Sequence, residues 1–244
     1  KRQNLQRAVE ATEDGLVAQS RQTRELQRDL LRTRMVEFEG ISERLYRVVR
    51  QASKETGKQV RLDISGGQIE MDRGVLDRMT AAFEHLLRNS VVHGIEPPEQ
   101  RLAKGKSAEG RIDIRLSQEL NDVSVVFEDD GAGLDLQRLR AKAQALGLLT
   151  PDAEISDDEA ALLVFTPGLS TASEVTSLAG RGVGMDVVRN DVIALGGRIE
   201  TGSRPGRGAR FRLVLPLTTA VTQVVMVRAG GLTFGVPSNL VEVC

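Results

Sequence analysis

The chain has 244 residues, 40% hydrophobic and 27% charged, values of a folded protein with one substantial core plus appendages. Its 33 Lys and Arg against 34 Asp and Glu leave a net charge of -1, which excludes a protein that lives by neutralising nucleic-acid phosphates. With 3% aromatic residues, one Tyr and no Trp, a platform for stacked single-stranded bases is excluded too.

The one cysteine, Cys244, is the last residue, so neither a disulfide framework nor a cysteine-based metal cluster can form. No apolar run approaches the ~18 residues of a membrane span, and no signal peptide opens the chain. Without an initiator Met, and with an end in mid-strand at Val243-Cys244, the expectation is a piece of a longer cytoplasmic protein.

From Lys1 to Met35 the chain is polar, with Leu5, Val9, Leu16, Leu26 and Leu30 forming one narrow stripe. This predicts a long helix that packs on another helix, such as one of a partner chain, rather than in a core. A second amphipathic helix is expected over 36–57, ending at Gly57, with Ile41, Leu45, Val48, Val49 and Ala52 inward. Gln59–Ser65 alternates like a half-buried strand. A third helix is expected from Asp72 to His93, stopped by Gly94 and the pair Pro97-Pro98. Arg111–Ser117 and Val123–Asp129 read as a hairpin turning at Asn121-Asp122. Residues 134–176 form short helices and a Gly/Ser/Thr-rich loop too long for a mere connection. Met185–Leu195 reads as a helix, and Arg198–Thr201 and Arg210–Leu215 as strands around the turn Ser203–Gly208. Val221–Arg228 and Leu232–Val236, flanking Ala229-Gly230-Gly231, read as a hairpin opening a separate β-domain.

Three elements could carry chemistry. Asp129-Asp130-Gly131-Ala132-Gly133 puts a carboxylate at a strand end before two glycines, where a ring could approach the backbone closely. Taken alone, Asp-Gly after a strand is the commonest of turns. Gly180-Arg181-Gly182-Val183-Gly184 opens into the helix at Met185, so its amides and the helix N-terminus could cradle an anion. That spacing is not the dinucleotide G-x-G-x-x-G, and Gly105-Lys106-Ser107 is no P-loop, since Gln100 stands where the first glycine is required. His85, Asn89 and His93 lie at i, i+4 and i+8 of the third helix and so on one face. Zinc would want a further His, Cys or carboxylate there. The neutral oxygen of Asn suits Mg²⁺ that also holds phosphates.

In this order the elements resemble the N, G1, F and G2 boxes of the GHKL (Bergerat) ATP-binding fold. Closer still, His85-Leu-Leu-Arg-Asn89-Ser-Val-Val-His93-Gly-Ile-Glu96-Pro, Phe165-Thr-Pro-Gly-Leu-Ser-Thr171 and Gly180-Arg-Gly-Val-Gly-Met-Asp-Val-Val188 are similar to the CheA family of chemotaxis-type sensor histidine kinases. The resemblance spans nearly the whole chain. It implies a two-layer α/β sandwich with helices on one face of a mixed sheet. Residues 1–35 would be part of a dimerisation unit and 36–216 the ATP-binding catalytic domain. Residues 217–244, entered at Leu215-Pro216-Leu217-Thr218, would begin an SH3-like, CheW-like regulatory domain.

The implied activity is ATP-dependent phosphorylation of a histidine on a separate phosphotransfer domain, in a chemosensory two-component system. By position, Asp129 would bind the adenine amino group, with Gly131 and Gly133 shaping that pocket. Asn89 would hold Mg²⁺ and His85 would be the general base. His93, Gly180, Arg181, Gly182, Val183, Gly184 and Met185 would contact phosphates, and Lys142, Ser170 and Thr171 would belong to the ATP lid. The implied partners are the phosphotransfer domain, a CheW-like adaptor, chemoreceptors, response regulators and a second copy of the chain. Nucleic acid and membrane insertion are not among them.

Three positions depart from the family pattern: Val92 where Asp is frequent, Leu169 where Phe is usual, and Ala209 where Thr is usual. They bear on catalytic rate more than on fold. The rival readings are a GHKL ATPase of gyrase, chaperone or mismatch-repair kind, which typically has Glu at the base position, and a catalytically weak scaffold kinase.

Overall fold

The computed structural model describes residues 33–150, 152–169 and 184–217, the backbone of two strands within 224–237, and the isolated helical positions Gly15, Gln19, Gln22 and Thr23. The expectation of a long helix over 1–35 therefore falls almost wholly outside the described residues.

The main sheet has five strands: β2 (Val60–Ser65), β4 (Gly110–Glu119), β5 (Asp122–Asp129), β6 (Arg198–Arg204) and β7 (Gly208–Pro216). Their order is β2-β4-β5-β7-β6, with β2 and β4 parallel and every other pair antiparallel, the mixed sheet that was expected. One face carries Ile112, Ile114, Leu116, Val125, Phe127, Phe211 and Leu213, all buried. On it lie α1 (Ser42–Thr56), α2 (Arg73–Asn89) and α6 (Met185–Ala194). The opposite face carries ion pairs such as Arg111–Asp113 and Arg212 with Glu119 and Glu200, beside the buried Ser124, Val126 and Val214. Such pairs add little stability. They mark the face opposite these three helices, and hence the two-layer architecture.

Each helix follows from its apolar spacing. In α1, Leu45, Val49 and Ala52 are buried at i, i+4 and i+7, and Gly57 ends it with φ 67°, a left-handed cap that favours glycine. In α2, the Asp72 side chain accepts from the Gly74 amide at 2.7 Å, an N-cap, and Val75, Leu76, Met79, Phe83, Leu86 and Leu87 face the core. Phe83 packs between Phe38 and Phe127, with ring centroids 5.7 and 5.4 Å away.

Three expectations are corrected. The second helix does not begin at 36. Met35–Glu37 is a strand, β1, paired antiparallel with β3 (Glu70–Asp72), and a 3-10 turn over Phe38–Ile41 precedes α1. Pairing between segments so far apart competes with local helical periodicity and wins, because it buries Phe38 and Met71 completely. The third helix stops being α-helical at Asn89, and a π-turn over Ser90–Gly94 follows, closed by the Ile95 amide on the Ser90 carbonyl at 2.8 Å. His93 is thereby taken out of strict i+8 register with His85. The hairpin turns one residue early, at Leu120-Asn121, with Leu120 at φ 55° and 94% exposed.

One short helix lies between the expected elements, α3 (Pro98–Ala103), with Pro98 at its start, and the short helices expected within 134–176 include α4 (Leu136–Ala145). With α5 (Asp157–Leu162), whose Ser156 and Glu159 form a capping box, α4 encloses a small second core of Leu136, Leu139, Ala160 and Ala161. Arg34 and Leu217 both reach the start of α2. The Asp72 amide donates to the Leu217 carbonyl and the Arg73 amide to the Arg34 carbonyl, at 3.0 and 2.9 Å. Beyond Leu217 in sequence, β8 (Val224–Ala229) and β9 (Leu232–Pro237) pair antiparallel as the expected hairpin, whose first residues, 221–223, lie outside the described residues.

Candidate nucleotide site

The C-terminal end of α2, the π-turn, the end of β5 and the start of α6 converge, and the candidate residues fall into two groups joined by the π-turn.

The first group centres on Asn89. Its Nδ2 donates to His85 Nε2 at 3.0 Å and to Met185 Sδ at 3.1 Å. Both amide hydrogens are therefore used, and Oδ1 is the atom left for a hard cation. An amide nitrogen cannot accept, so His85 Nε2 carries the lone pair and its ring proton sits on Nδ1. Met185, buried at the first position of α6, thus brings the start of that helix against α2, across 96 residues of sequence. Gly184 is the N-cap of α6, and among the described residues no side chain caps the helix, which leaves its first amides available to an anion.

Burial pushes the His85 imidazole below its ordinary 6.5, and the charges of His93 and Arg88 add to this against Asp186, which pulls the other way. Desolvation, and then the charge of Lys58, lowers His93 likewise. Lys58 itself donates to the carbonyls of Val91 and Val92 at 2.9 and 2.7 Å, holding the π-turn from below.

The second group centres on Asp129, 5% exposed at the end of β5. Its Oδ1 accepts from the amides of Gly131 (3.0 Å) and Ala209 (3.3 Å), and the Ser90 hydroxyl also donates to the carboxylate. Burial raises its pKa from the ordinary 3.8, opposed by these three hydrogen bonds. Oδ2 lies over Gly94, where a Cβ would come within 3.2 Å of it. Gly131 passes so close to Gly94 that a Cβ would stand 2.1 Å from the Gly94 oxygen. At Gly133, φ is 82° and a Cβ would meet the Arg204 carbonyl at 2.8 Å. Both glycines are thus required by close approach, as a pocket built on backbone needs. Because Ser90 follows Asn89 directly, one turn of chain sets the distance between the Asn89 and Asp129 groups.

The structure therefore brings together His85, Asn89, Gly184 and Met185, and separately Asp129, Gly131 and Gly133. His93, at the end of the π-turn that connects them, reaches solvent with only part of its ring desolvated. Lys142 lies half-buried in the last turn of α4, within the small second core's layer. Ser170, Thr171, Gly180, Arg181, Gly182 and Val183 lie outside the described residues. Two of the family departures have a physical reading here. Leu169 is fully buried, so it fills an apolar position as Phe would, and Ala209 reaches Asp129 through its backbone amide, which needs no side chain. Val92 leaves its position without a carboxylate. Lys58, Ser90, Asp186 and Ser203, whose Oγ accepts from the Leu134 amide at 2.7 Å beside Gly133, were not legible in the sequence. Nothing local distinguishes them from surface polar residues.

No group of three or more His, Cys, Asp or Glu able to hold a metal exists among the described residues. This donor set fits Mg²⁺ delivered with a nucleotide, held by one protein oxygen plus phosphates and water, and does not fit a resident metal. Among the described residues no helix is long and apolar enough to cross a membrane.

The sequence profile of the histidine kinase-, DNA gyrase B- and HSP90-like ATPase family (HATPase_c) matches residues 74–219. The chemotaxis protein CheA of Salmonella typhimurium is 39% identical over 91% of this chain and 33% of that protein. CheA of Bacillus subtilis is 40% identical over 89% of this chain and 33% of its own length, and CheA of Borreliella burgdorferi 41% over 90% and 26%. The chain thus spans about a third of the length of these curated relatives, or less. Among solved structures, the catalytic domain of the histidine kinase ThkA superposes with a TM-score of 0.47 at 16% identity, over 76% of this chain and 95% of that one, a likeness too loose to carry detail.

Proposed function

The chain belongs to the histidine kinase-, DNA gyrase B- and HSP90-like ATPase family, and we propose that it is the ATP-dependent catalytic part of a chemosensory protein histidine kinase. The observation that carries this reading is the Asn89 amide holding His85 Nε2 on one side and the first residue of α6 on the other. An imidazole of lowered pKa, an amide oxygen with no contact from these bonds and a helix N-terminus side by side support the reading. The curated relatives are chemotaxis proteins by name, which supports the same pathway class.

In this reading Mg-ATP is the substrate. Its adenine amino group donates to Asp129, whose carboxylate can accept that hydrogen but cannot accept from the carbonyl oxygen of guanine. Asn89 Oδ1 and the α6 amides take the metal and phosphates, together with His93, Lys142 and the segment containing Ser170, Thr171 and Gly180–Val183. A nitrogen of the acceptor imidazole attacks the γ-phosphorus, the bond to the β–γ bridging oxygen breaks and ADP leaves. His85, kept neutral by desolvation, accepts on Nε2 the proton that the acceptor ring gives up, the Asn89 amide hydrogen leaving that lone pair as it does so.

The only histidines in the chain are His85 and His93. Both belong to this site, so the acceptor is a histidine on a separate phosphotransfer domain, which then passes the phosphoryl group to response regulators. The strands β8 and β9 begin a regulatory domain for a CheW-like adaptor and chemoreceptors, residues 1–35 contribute to a homodimer, and the protein works in the cytoplasm.

The experiment is radiolabelled ATP with Mg²⁺, with and without a supplied phosphotransfer domain. Acid-labile, base-stable label on that domain alone is the expected result. Label on His85 or His93, or phosphate release without acceptor labelling, overturns the kinase reading in favour of a hydrolase of the same fold.

A further inference from the structure

Arg101 is the largest fully buried side chain among the described residues, 1% exposed, and the function proposed above gives it no role. Its Nε donates to the Ser107 carbonyl at 2.7 Å and its Nη1 to Glu96 Oε2 and the Asp130 carbonyl, each at 3.3 Å. Nη2 donates to the Glu109 carbonyl at 3.3 Å and to Asp130 Oδ2 at 2.8 Å. Glu96, 6% exposed, accepts in addition from Lys104 at 3.2 Å and Lys106 at 3.1 Å. Lys106 Nζ then donates to the carbonyls of Asp130 and Gly131, both at 2.8 Å. One buried carboxylate therefore gathers three cations, and two of those cations grip the two residues that follow Asp129.

Stability alone is a poor reason for such a cluster. Desolvating paired charges costs about as much as their attraction returns, and an apolar core of the same shape is often more stable. What a dense set of charge-assisted hydrogen bonds does provide is fixed geometry. The geometry fixed here is that of the turn whose Gly131 amide holds Asp129 Oδ1 and whose Ala132 amide donates to the Gly94 carbonyl at 2.9 Å. We propose that Glu96, Arg101 and Lys106 are positioning residues for base recognition: they clamp the Asp130-Gly131 turn, which orients the Asp129 carboxylate toward the nucleobase. The inference rests on the reading of Asp129 as the group that accepts from the adenine amino group. The sequence 105–107, which is no phosphate loop, acquires through Lys106 a part in nucleotide binding at the opposite end of the ligand.

The test compares ATP with inosine triphosphate, which carries a carbonyl oxygen where adenine carries its amino group, by calorimetry on the intact chain with Mg²⁺. In Lys106→Met, ATP affinity is expected to fall about tenfold, the value of one well-made hydrogen bond to a charged group, while affinity for inosine triphosphate changes less than twofold. The preference for ATP collapses, and Lys106→Arg restores most of it. A merely structural role would weaken both nucleotides alike or neither, so an unchanged ratio of the two affinities overturns the proposal. Glu96→Gln, which keeps the side-chain shape, reads the same ratio if Lys106→Met folds poorly. Asp129→Asn run in parallel separates the two levels. If the preference survives that change, the reading of Asp129 has failed; if it is lost there but kept in Lys106→Met and Glu96→Gln, only the clamp has failed.

Discussion

The Nδ2 of Asn89 and the Nε2 of His85 are 3.0 Å apart, one turn of α2 from each other, and the amide is the donor. The group proposed to hold the cation therefore also sets the tautomer of the group proposed as base. A change at Asn89 therefore alters both.

From this follows an ordering of defects. His85→Gln should slow phosphoryl transfer by about 10²–10⁴, the usual contribution of a general base, and leave ATP affinity near its original value. Asn89→Ala removes the cation's oxygen and frees the His85 ring together, so it should be the more damaging of the two. Single-turnover rates with a saturating phosphotransfer domain check this. The reverse order would show that Asn89 does not hold the metal.

The pH profile has a definite sign. The base is the neutral imidazole, and burial first, then the His93 charge, holds His85 below 6.5. Once the rate is divided by the neutral fraction of the acceptor histidine, measured separately, it should stay on its plateau as pH falls through 6.5 and drop only at lower pH. Stability follows the same direction. The unfolded chain takes up protons below its ordinary histidine value that the folded chain refuses, so folding stability is complete above 6.5 and declines beneath it. A midpoint above 6.5 in that corrected rate would exclude the half-buried His85 as the base.

At Asp129 two effects act together. Asp129→Ala removes the acceptor for the adenine amino group, worth roughly 1.5–3 kcal/mol, so ATP affinity should fall about ten- to a hundredfold. It also strips the Gly131 and Ala209 amides of their acceptor. A buried donor left unmade costs about 1–3 kcal/mol, so the melting temperature should drop as well. Asp129→Asn keeps an oxygen for those amides and should separate the loss of affinity from the loss of stability. Calorimetry and thermal denaturation on both variants read the two effects, and unchanged ATP affinity in both would remove Asp129 from the pocket.

Away from the site, Leu120 is an exposed leucine at φ 55°, a region that costs a side-chain-bearing residue about 1–2 kcal/mol. It occupies the first position of a two-residue hairpin loop between Glu119 and Asp122, where glycine is preferred. Leu120→Gly should raise stability by up to about 1 kcal/mol, visible as a higher denaturation midpoint, with ATP affinity unaffected. A lower midpoint would mean that the hairpin does not turn at this residue.

Those features set by neighbouring residues were legible in the sequence. The inward stripe of α2, the alternation of β4 and β5, the glycine cap at Gly57 and the Asp129–Gly133 turn each follow from the side chains of one short segment. So did the spacing of His85 and Asn89, which the helix converts directly into the 3.0 Å contact. What only the tertiary structure decided are relationships between distant segments. Met35–Glu37 became a strand because Glu70–Asp72 lay beside it, although its own periodicity continued a helix. The π-turn at Ser90–Gly94 places the Ser90 hydroxyl on Asp129 and Gly94 beneath it. The Met185 contact to Asn89 and the Arg101 clamp join residues whose partners lie elsewhere in the chain. Local sequence specifies periodicity and backbone preference; it does not specify which distant donor meets which buried acceptor, because that is settled when the helices close over the sheet.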